Sequence, residues 1–359
     1  MRIHRWTLFC LCLAAVTLLN AQAPAIQNAD IQTRTVTSGL KATIETLIRQ
    51  STDPVWIAYS VPMIPGESTM CCFYGDGDSG CCKGCHLEEG RGGVQGASRS
   101  QAVQLEPSRS LLVLARAEGG RLSKVHAYSS DCPLDAGGRR VYWLSGVEPQ
   151  QSVDYLAELV RGSDWSEKSE KRIANGALAA IAHHDGASAA AALGEFLAPE
   201  RPRGLRKQAA FWLGNSGGAA GFQILVKAVR NDTDERFRED AMFALNVSRQ
   251  AEGIDALIHF ARNDSSTRVR KQALFWLGQK AGKKAMATLT LAIEQDPDTD
   301  VKKQAVFALS QLPKEEGVAL LIQVARTNGN RTVRKQAMFW LGQSNDPRAL
   351  EFFEEVLTK

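Results

Sequence analysis

From residue 173 onward, apolar residues recur in triplets spaced four apart: Ile173-Ala177-Ile181, Leu205-Ala209-Leu213, Phe237-Ala241-Leu245, Val269-Ala273-Leu277, Val301-Ala305-Leu309 and Val333-Ala337-Leu341. That spacing puts each triplet on one helical face. The central alanines, from Ala177 to Ala337, advance by one constant interval without a slip. Each triplet is followed by a second apolar stretch, such as FQILVKAV from Phe222 or VALLIQVA from Val318, and then by a polar turn such as NDTD or DPDTD. A unit of this kind is two helices joined by a short turn. One pair cannot bury its apolar faces alone, so about six units are expected to stack into an α-solenoid.

Within this register the chain reads VRKQALFWLGQ from Val269 and, two units later, VRKQAMFWLGQ from Val333. On a wheel with Ala273 at the core centre, Trp276 falls at about −60° and borders the core, while Phe275 falls at about 200° and points away from it. The Trp position alternates, as Trp212, Ala244, Trp276, Ala308 and Trp340. A large ring in one layer needs a small residue in the next, so the alternation reads as core complementarity between neighbouring repeats, with a pair of repeats as the true unit. The Phe position does not alternate: Phe211, Phe243, Phe275, Phe307 and Phe339 all carry it, with Lys207, Lys271, Lys303 and Lys335 beside it and Glu239 as the exception. Two readings stand. The phenylalanines are covered by neighbouring elements, or they form an apolar stripe with basic edges that a protein partner covers.

These units, TRVRKQALFWLGQ and DVKKQAVFALSQL followed by EGVALLIQVAR, resemble HEAT repeats of the short form named after phycobiliprotein lyases, over residues 167 to 359. The resemblance implies a solenoid that binds proteins along an extended surface. Such repeats usually place a polar residue, often Glu, where this chain has its Phe series. The resemblance does not carry lyase chemistry with it, since no matching motif occurs, and a bilin lyase is a distant third reading.

Ahead of the repeats the periodicity changes. SGLKATIETLIRQ sets Leu40, Ile44 and Leu47 on one helical face. VWIAYSV from Val55, SLLVLARAE from Ser110, LSKVHAY from Leu122 and VYWLSGV from Val141 read as strands, with a hairpin turning at Gly119-Gly120. EPQQSVDYLAELV reads as a helix opening near Pro149. The whole is mainly α: residues 26–160 form a small Cys-rich α+β domain and 166–359 the solenoid.

Residues 1–25 have another character. Arg2, His4 and Arg5 lead into an apolar run from Trp6 to Leu19 and then NAQAPA, the three-part form of a cleaved secretory signal. Ala21-Gln22-Ala23 and Ala23-Pro24-Ala25 both fit the cleavage rule. Nothing else is apolar enough to span a membrane, so the mature chain is expected to be exported, to the periplasm or beyond the cell. The formal charge is +4; residues 24–165 carry 13 bases and 16 acids, and residues 166–359 carry 28 and 23. A net +5 with interspersed acids is a solvated surface rather than a phosphate-binding one, which argues against nucleic acid.

Six cysteines follow the leader: Cys71, Cys72, Cys81, Cys82, Cys85 and Cys132. An even number in an oxidising compartment favours disulfides that pin a loop, with Cys132 the natural distant partner. Cys82-Lys83-Gly84-Cys85-His86 also satisfies the c-type haem pattern, in which two thioethers and an axial His would hold covalent haem. Zinc would require four ligands from the same group, kept reduced. His183-His184-Asp185 reads as a polar turn rather than a metal site, because adjacent helical side chains diverge by about 100°. Asp76 and Asp78 lack the downstream Glu of a calcium loop.

The expected function is that of an exported scaffold without catalysis or cofactor, binding another exported or envelope protein. The alternative is a haem- or metal-bearing redox protein that docks through its solenoid.

Overall fold

The computed structural model describes residues 26–65, 85–88, 109–280 and 282–358. The chain opens with a six-stranded sheet. Its strands are β1 (Gln27–Thr35), β2 (Val55–Pro62), β3 (Cys85–His86), β4 (Ser110–Glu118), β5 (Arg121–Ser129) and β6 (Leu134–Ser145), in the order β1-β6-β2-β4-β5, with β3 also paired to β6. The β4–β5 hairpin turns at Gly119-Gly120, as the sequence predicts. Strand β1 is not predicted. It is a polar edge strand, QNADIQTRT, with Ile31 its only large apolar residue, and it pairs in parallel with β6.

Both faces of the sheet are covered. Ile57, Tyr59 and Val61 of β2 point to the side where α1 (Leu40–Gln50), α2 (Pro149–Gly162) and α3 (Lys168–His183) lie, and Leu40, Ile44 and Leu47 are buried there. Trp56 and Ala58 point to a second, smaller core with Leu112, Leu114, Val141 and Trp143. A strand buried on both faces loses its alternation, which is why VWIAYSV is apolar throughout. Helix α3 lies close on β5: a Cβ added at Gly176 would stand 2.0 Å from the Val125 carbonyl oxygen. The first apolar core runs on without a break from Leu40 into the repeats as far as Phe352.

Six helix pairs follow: α3 with α4 (Ala187–Glu195), α5 (Arg203–Asn215) with α6 (Gly218–Asn231), α7 (Glu235–Val247) with α8 (Glu252–Asn263), α9 (Thr267–Gly278) with α10 (Lys283–Gln295), α11 (Thr299–Ser310) with α12 (Lys314–Thr327), and α13 (Arg331–Gln343) with α14 (Pro347–Thr358). The described residues thus hold fourteen helices and are mainly helical. The first helices of the pairs, α5 through α13, stack on one another in series. Every residue of the predicted triplets is buried except Ile173, which is half-buried.

Between the repeats runs a second register. Arg206, Arg238 and Arg270 stand one repeat apart, and each pairs with an Asp at the same distance along the chain, Asp232, Asp264 and Asp296. Arg238 donates to both carboxylate oxygens of Asp264 at 2.9 Å, and Arg270 to both of Asp296 at 2.8 and 3.1 Å. Each Asp also accepts the backbone N–H two residues on, closing the turn before the next first helix. Meanwhile Arg238 and Arg270 hold the carbonyl of the preceding turn, at Asp232 and Asp264. One guanidinium therefore ties two successive turns. The series loosens at the next step, where Lys302 and Asn328 occupy the two positions and Lys302 turns to the Glu294 carbonyl instead.

Removing one partner of a buried ion pair leaves the other charge uncompensated, at a cost of about 3–5 kcal/mol. Arg270→Ala is therefore expected to lower urea stability by that order, whereas Arg268→Ala, which breaks an exposed pair with Glu239, should cost about 0–1 kcal/mol. Equal losses from the two variants would contradict the ladder.

Candidate functional site

The outward side of the first helices carries a continuous run of aromatic rings. Its order in space is His183, Trp212, Phe211, Phe243, Trp276, Phe275, Phe307, Trp340, Phe339, with successive centroids between 4.9 and 6.2 Å apart. Phe211 lies parallel to Phe243, and Phe275 to Phe307, with interplanar angles of 10° and 8°. At the alternate junctions a Trp enters: Trp276 meets Phe243 and Trp340 meets Phe307, each at 5.1 Å. Stacked and tilted arrangements at these separations are favourable, each worth about 0.5–1.5 kcal/mol beyond area burial.

The alternation of large and small residues has a more specific cause than a ring seated on an alanine. The close contact lies two residues beyond each Trp, where α5 meets α7 and α9 meets α11. A Cβ at Gly214 would stand 2.1 Å from the Ala244 oxygen, and one at Gly278 would stand 2.8 Å from the Ala308 Cβ. Only Gly against Ala allows this approach, and it brings the two phenylalanines of the pair into parallel contact. Trp276 and Trp340 stand at the alternate junctions, each with a buried indole N–H that has no acceptor among the described residues.

The phenylalanines are neither sealed nor fully free. Phe211, Phe275 and Phe307 are half-buried, Phe243 is 37% exposed and Phe339 is 55% exposed. Each is covered by neighbouring rings along the ladder and open on its outer side. Of the lysines beside them, Lys207 lies 3.6 Å from Asp240 and Lys303 lies 3.0 Å from Asp300, while Lys271 and Lys335 have no ion pair among the described residues. Three residues before the Phe stand Gln272, Gln304 and Gln336, and four after it stand Gln279, Gln311 and Gln343. Positions three and four apart are neighbours on a helix surface. Gln311 bonds to Ser310; the side chains of the others make no hydrogen bond among the described residues. The recurring KQA and LGQ display these carboxamides in the sequence, but nothing there sets them apart as unpartnered.

At the other end of the ladder, His183 and His184 are not a polar turn. Both are buried. His183 meets Trp212 edge-on, and His184 lies between the sheet and the repeats. The His184 Nδ1 faces the Ala180 carbonyl at 2.7 Å, so it carries the proton, and Nε2 accepts from the Ser152 hydroxyl at 2.8 Å. Ser152 in turn accepts from the Tyr59 hydroxyl at 2.8 Å. This chain joins β2, α2 and α3. Adjacent to it, the Ile64 N–H donates to the His183 carbonyl and the Asp185 N–H donates to the Pro62 carbonyl. The two imidazoles point to different partners.

Of the cysteine segment, Cys71, Cys72, Cys81, Cys82, Asp76 and Asp78 lie outside the described residues, as does the expected leader, residues 1–25. Cys85 and His86 form β3 beside Leu134 and Asp135. His86 Nδ1 lies 3.7 Å from an Asp135 oxygen. Glu88 anchors this stretch: its largely buried carboxylate accepts from Trp56 Nε1 at 3.0 Å and from Arg116 at 2.9 and 3.2 Å. Burial raises its pKa, but the bonds from Arg116 and Trp56 and the nearby Arg139 outweigh that and hold it below the usual carboxylate range. Cys132 is buried, with the Ser129 hydroxyl 3.3 Å from its sulfur. Among the described residues, no three of His, Cys, Asp and Glu are placed to hold a metal ion, and no helix is long and apolar enough to cross a membrane.

The family model of HEAT repeats matches residues 254–339 and 286–359. Residues 254–359 of the solenoid are therefore HEAT repeats. No curated protein matches it. Among solved structures, human deoxyhypusine hydroxylase is 17% identical over 58% of this chain and 90% of its own, with a TM-score of 0.29. The complex of CpcE and CpcF of phycocyanin lyase from Nostoc is 19% identical over 57% and 80%, with a TM-score of 0.31. Importin beta is 13% identical over 55% and 32%, with a TM-score of 0.31. At this level of likeness none of them transfers an activity or a partner to this chain.

Burial pulls the His184 pKa from 6.5 down to about 4, so the folded state holds it neutral. The unfolded chain therefore binds the extra proton first. The stabilisation is complete above pH 6.5 and is lost as pH falls toward 4, by up to about 1.4 kcal/mol per pH unit. Urea midpoints measured between pH 7 and 5 should fall accordingly, and His184→Gln should flatten the slope. An unchanged slope in that variant would contradict the neutral assignment.

Proposed function

We propose that this chain is an exported protein-binding scaffold that uses the ladder face of its solenoid, with the Cys-rich α+β domain as a covered end and second contact surface. The observation that carries the reading is the unbroken ladder from His183 to Phe339, whose phenylalanines are part-open to solvent and bordered by carboxamides and lysines that, among the described residues, leave most of their polar groups unpaired. Aromatic anchors rimmed by polar groups are the composition of binding hot spots. The face has no pocketed acid, base or nucleophile among the described residues, and the buried Tyr59-Ser152-His184 chain is closed to solvent, so the reading assigns no catalysis. Export rests on the leader pattern, and structural disulfides rest on the even cysteine number.

One observation favours the haem alternative. An Asp135 oxygen lies 3.7 Å from His86 Nδ1, so a small turn of the ring would give it the carboxylate partner that orients metal-binding imidazoles and leaves Nε2 for the metal. If haem is bound, Cys82 and Cys85 would hold it and His86 would ligate the iron.

Expression with the leader in a host competent for cytochrome c maturation separates the two. The scaffold reading predicts a colourless mature protein without free thiols, beginning at Pro24 or Ile26. A covalent haem band lost in Cys82→Ala would replace it. Phe243→Ser with Phe339→Ser should leave the helical circular dichroism unchanged and abolish co-purification of the partner. Retained co-purification would remove the ladder from the binding face.

A further inference from the structure

The joints between successive first helices are pinned by charge at the end where the turns lie. From α5 to α7 the pin is Arg206 with Asp232, from α7 to α9 it is Arg238 with Asp264, and from α9 to α11 it is Arg270 with Asp296. A second charge-assisted bond stands beside the last two: Ser266 donates to Glu235 at 2.5 Å, and Thr267 to Asp298 at 2.9 Å.

Between α11 and α13 each of these groups is neutral or diverted. Lys302 takes the arginine position and donates instead to the Glu294 carbonyl, back toward α10. Asn328 takes the aspartate position, and its amide nitrogen reaches the Ile293 carbonyl at 3.5 Å. The accompanying bond is also neutral, from Asn330 to Thr299 at 3.1 Å. The ion pair that does cross this joint, Arg326 with Glu355, is exposed, so solvent screens it. Beside the turn lies a cleft of about 240 Å³ bounded by Ile293, Glu294, Asn328 and Gly329, which leaves the turn room to move.

The opposite end of the same joint is held. Arg348 donates to the Lys314 and Glu315 carbonyls at 2.8 and 3.2 Å, and Trp340 meets Phe307 at 5.1 Å. Trp340 lies about 14 Å along α13 from its first residue, Arg331. A helix fixed at one end and unpinned at the other turns about the fixed end.

We propose that the joint between α11 and α13 is a hinge: α13 and α14 swing at the turn 328–330 about the Phe307–Trp340 contact, while the pairs from α5 to α12 move as one block. The swing sets the angle of Phe339 to the rest of the ladder, and so the curvature of that face. Arg334 does not oppose it, because the carbonyls it holds, of Asn328 and Gly329, belong to the turn that moves with α13. The hinge rests on positions 302 and 328 and holds whether or not the ladder binds a partner.

The test is pulsed electron–electron double resonance on the full chain, with spin labels carried by unnatural amino acids so that the cysteines stay untouched. Labels at Arg236 and Asp300 span two pinned joints, from α7 to α11. Labels at Arg268 and Thr332 span one pinned joint and the hinge, from α9 to α13. All four positions are exposed. The 268–332 distance distribution should be at least about twice as broad as the 236–300 one. Lys302→Arg with Asn328→Asp should narrow it to the width of the pinned span, and Arg270→Lys with Asp296→Asn should broaden the 236–300 distribution. The comparison of the two spans in the native chain needs neither variant, and equal widths there would overturn the proposal. A 268–332 width unchanged by Lys302→Arg with Asn328→Asp would overturn it too, by placing the motion within α13 rather than at the joint.

Discussion

A guanidinium buried between two turns is the constraint on which the solenoid rests. A stack of helix pairs has no long-range contacts to set its register, because each unit touches only its neighbours. Apolar faces alone would tolerate a slide or rotation of one pair on the next. Arg238 and Arg270 do not tolerate it, because each must meet a carbonyl of the turn before it and both oxygens of an Asp after it. The Asp is in turn fixed by the backbone N–H that it accepts. The pair is costly to bury and strongly destabilising to break, so it acts on geometry as much as on energy.

With the register set, the contact between first helices becomes a matter of side-chain volume, and here it alternates between two kinds. Gly against Ala brings α5 to α7 and α9 to α11 into backbone contact, while Trp fills the junctions between those pairs. The phenylalanines ride on this alternation, stacked within a pair and bridged by indole between pairs. An aromatic ladder on a solenoid surface is thus a product of core packing one layer below.

Much of this was legible in the sequence because it is periodic. The triplets centred on Ala209, Ala241, Ala273, Ala305 and Ala337 gave the helices and their buried face, and GGRL between two β-rich runs marked the hairpin. What stayed hidden depends on contacts between unlike positions. The Arg–Asp pairs join one unit to the next, so neither partner marks the other within one repeat. His183 and His184 looked like a polar turn because nothing local shows that α2 and β2 close over them. Strand β1 is polar because it is an edge, and Glu88 reads as a surface acid until Arg116 and Trp56 are brought to it. The carboxamides beside the phenylalanines were visible as letters, but their lack of partners is a fact of the folded surface.

Whether the ladder face carries a partner is tested most directly by photo-crosslinking in the cell that makes the protein. A benzophenone amino acid placed at Phe243 reports on the ladder, and one at His259, exposed on α8, reports on the second helices. A discrete crosslinked species is expected from position 243 and none from position 259. Crosslinks from 259 alone, or from neither position while the partner still co-purifies, would contradict a partner held on the ladder.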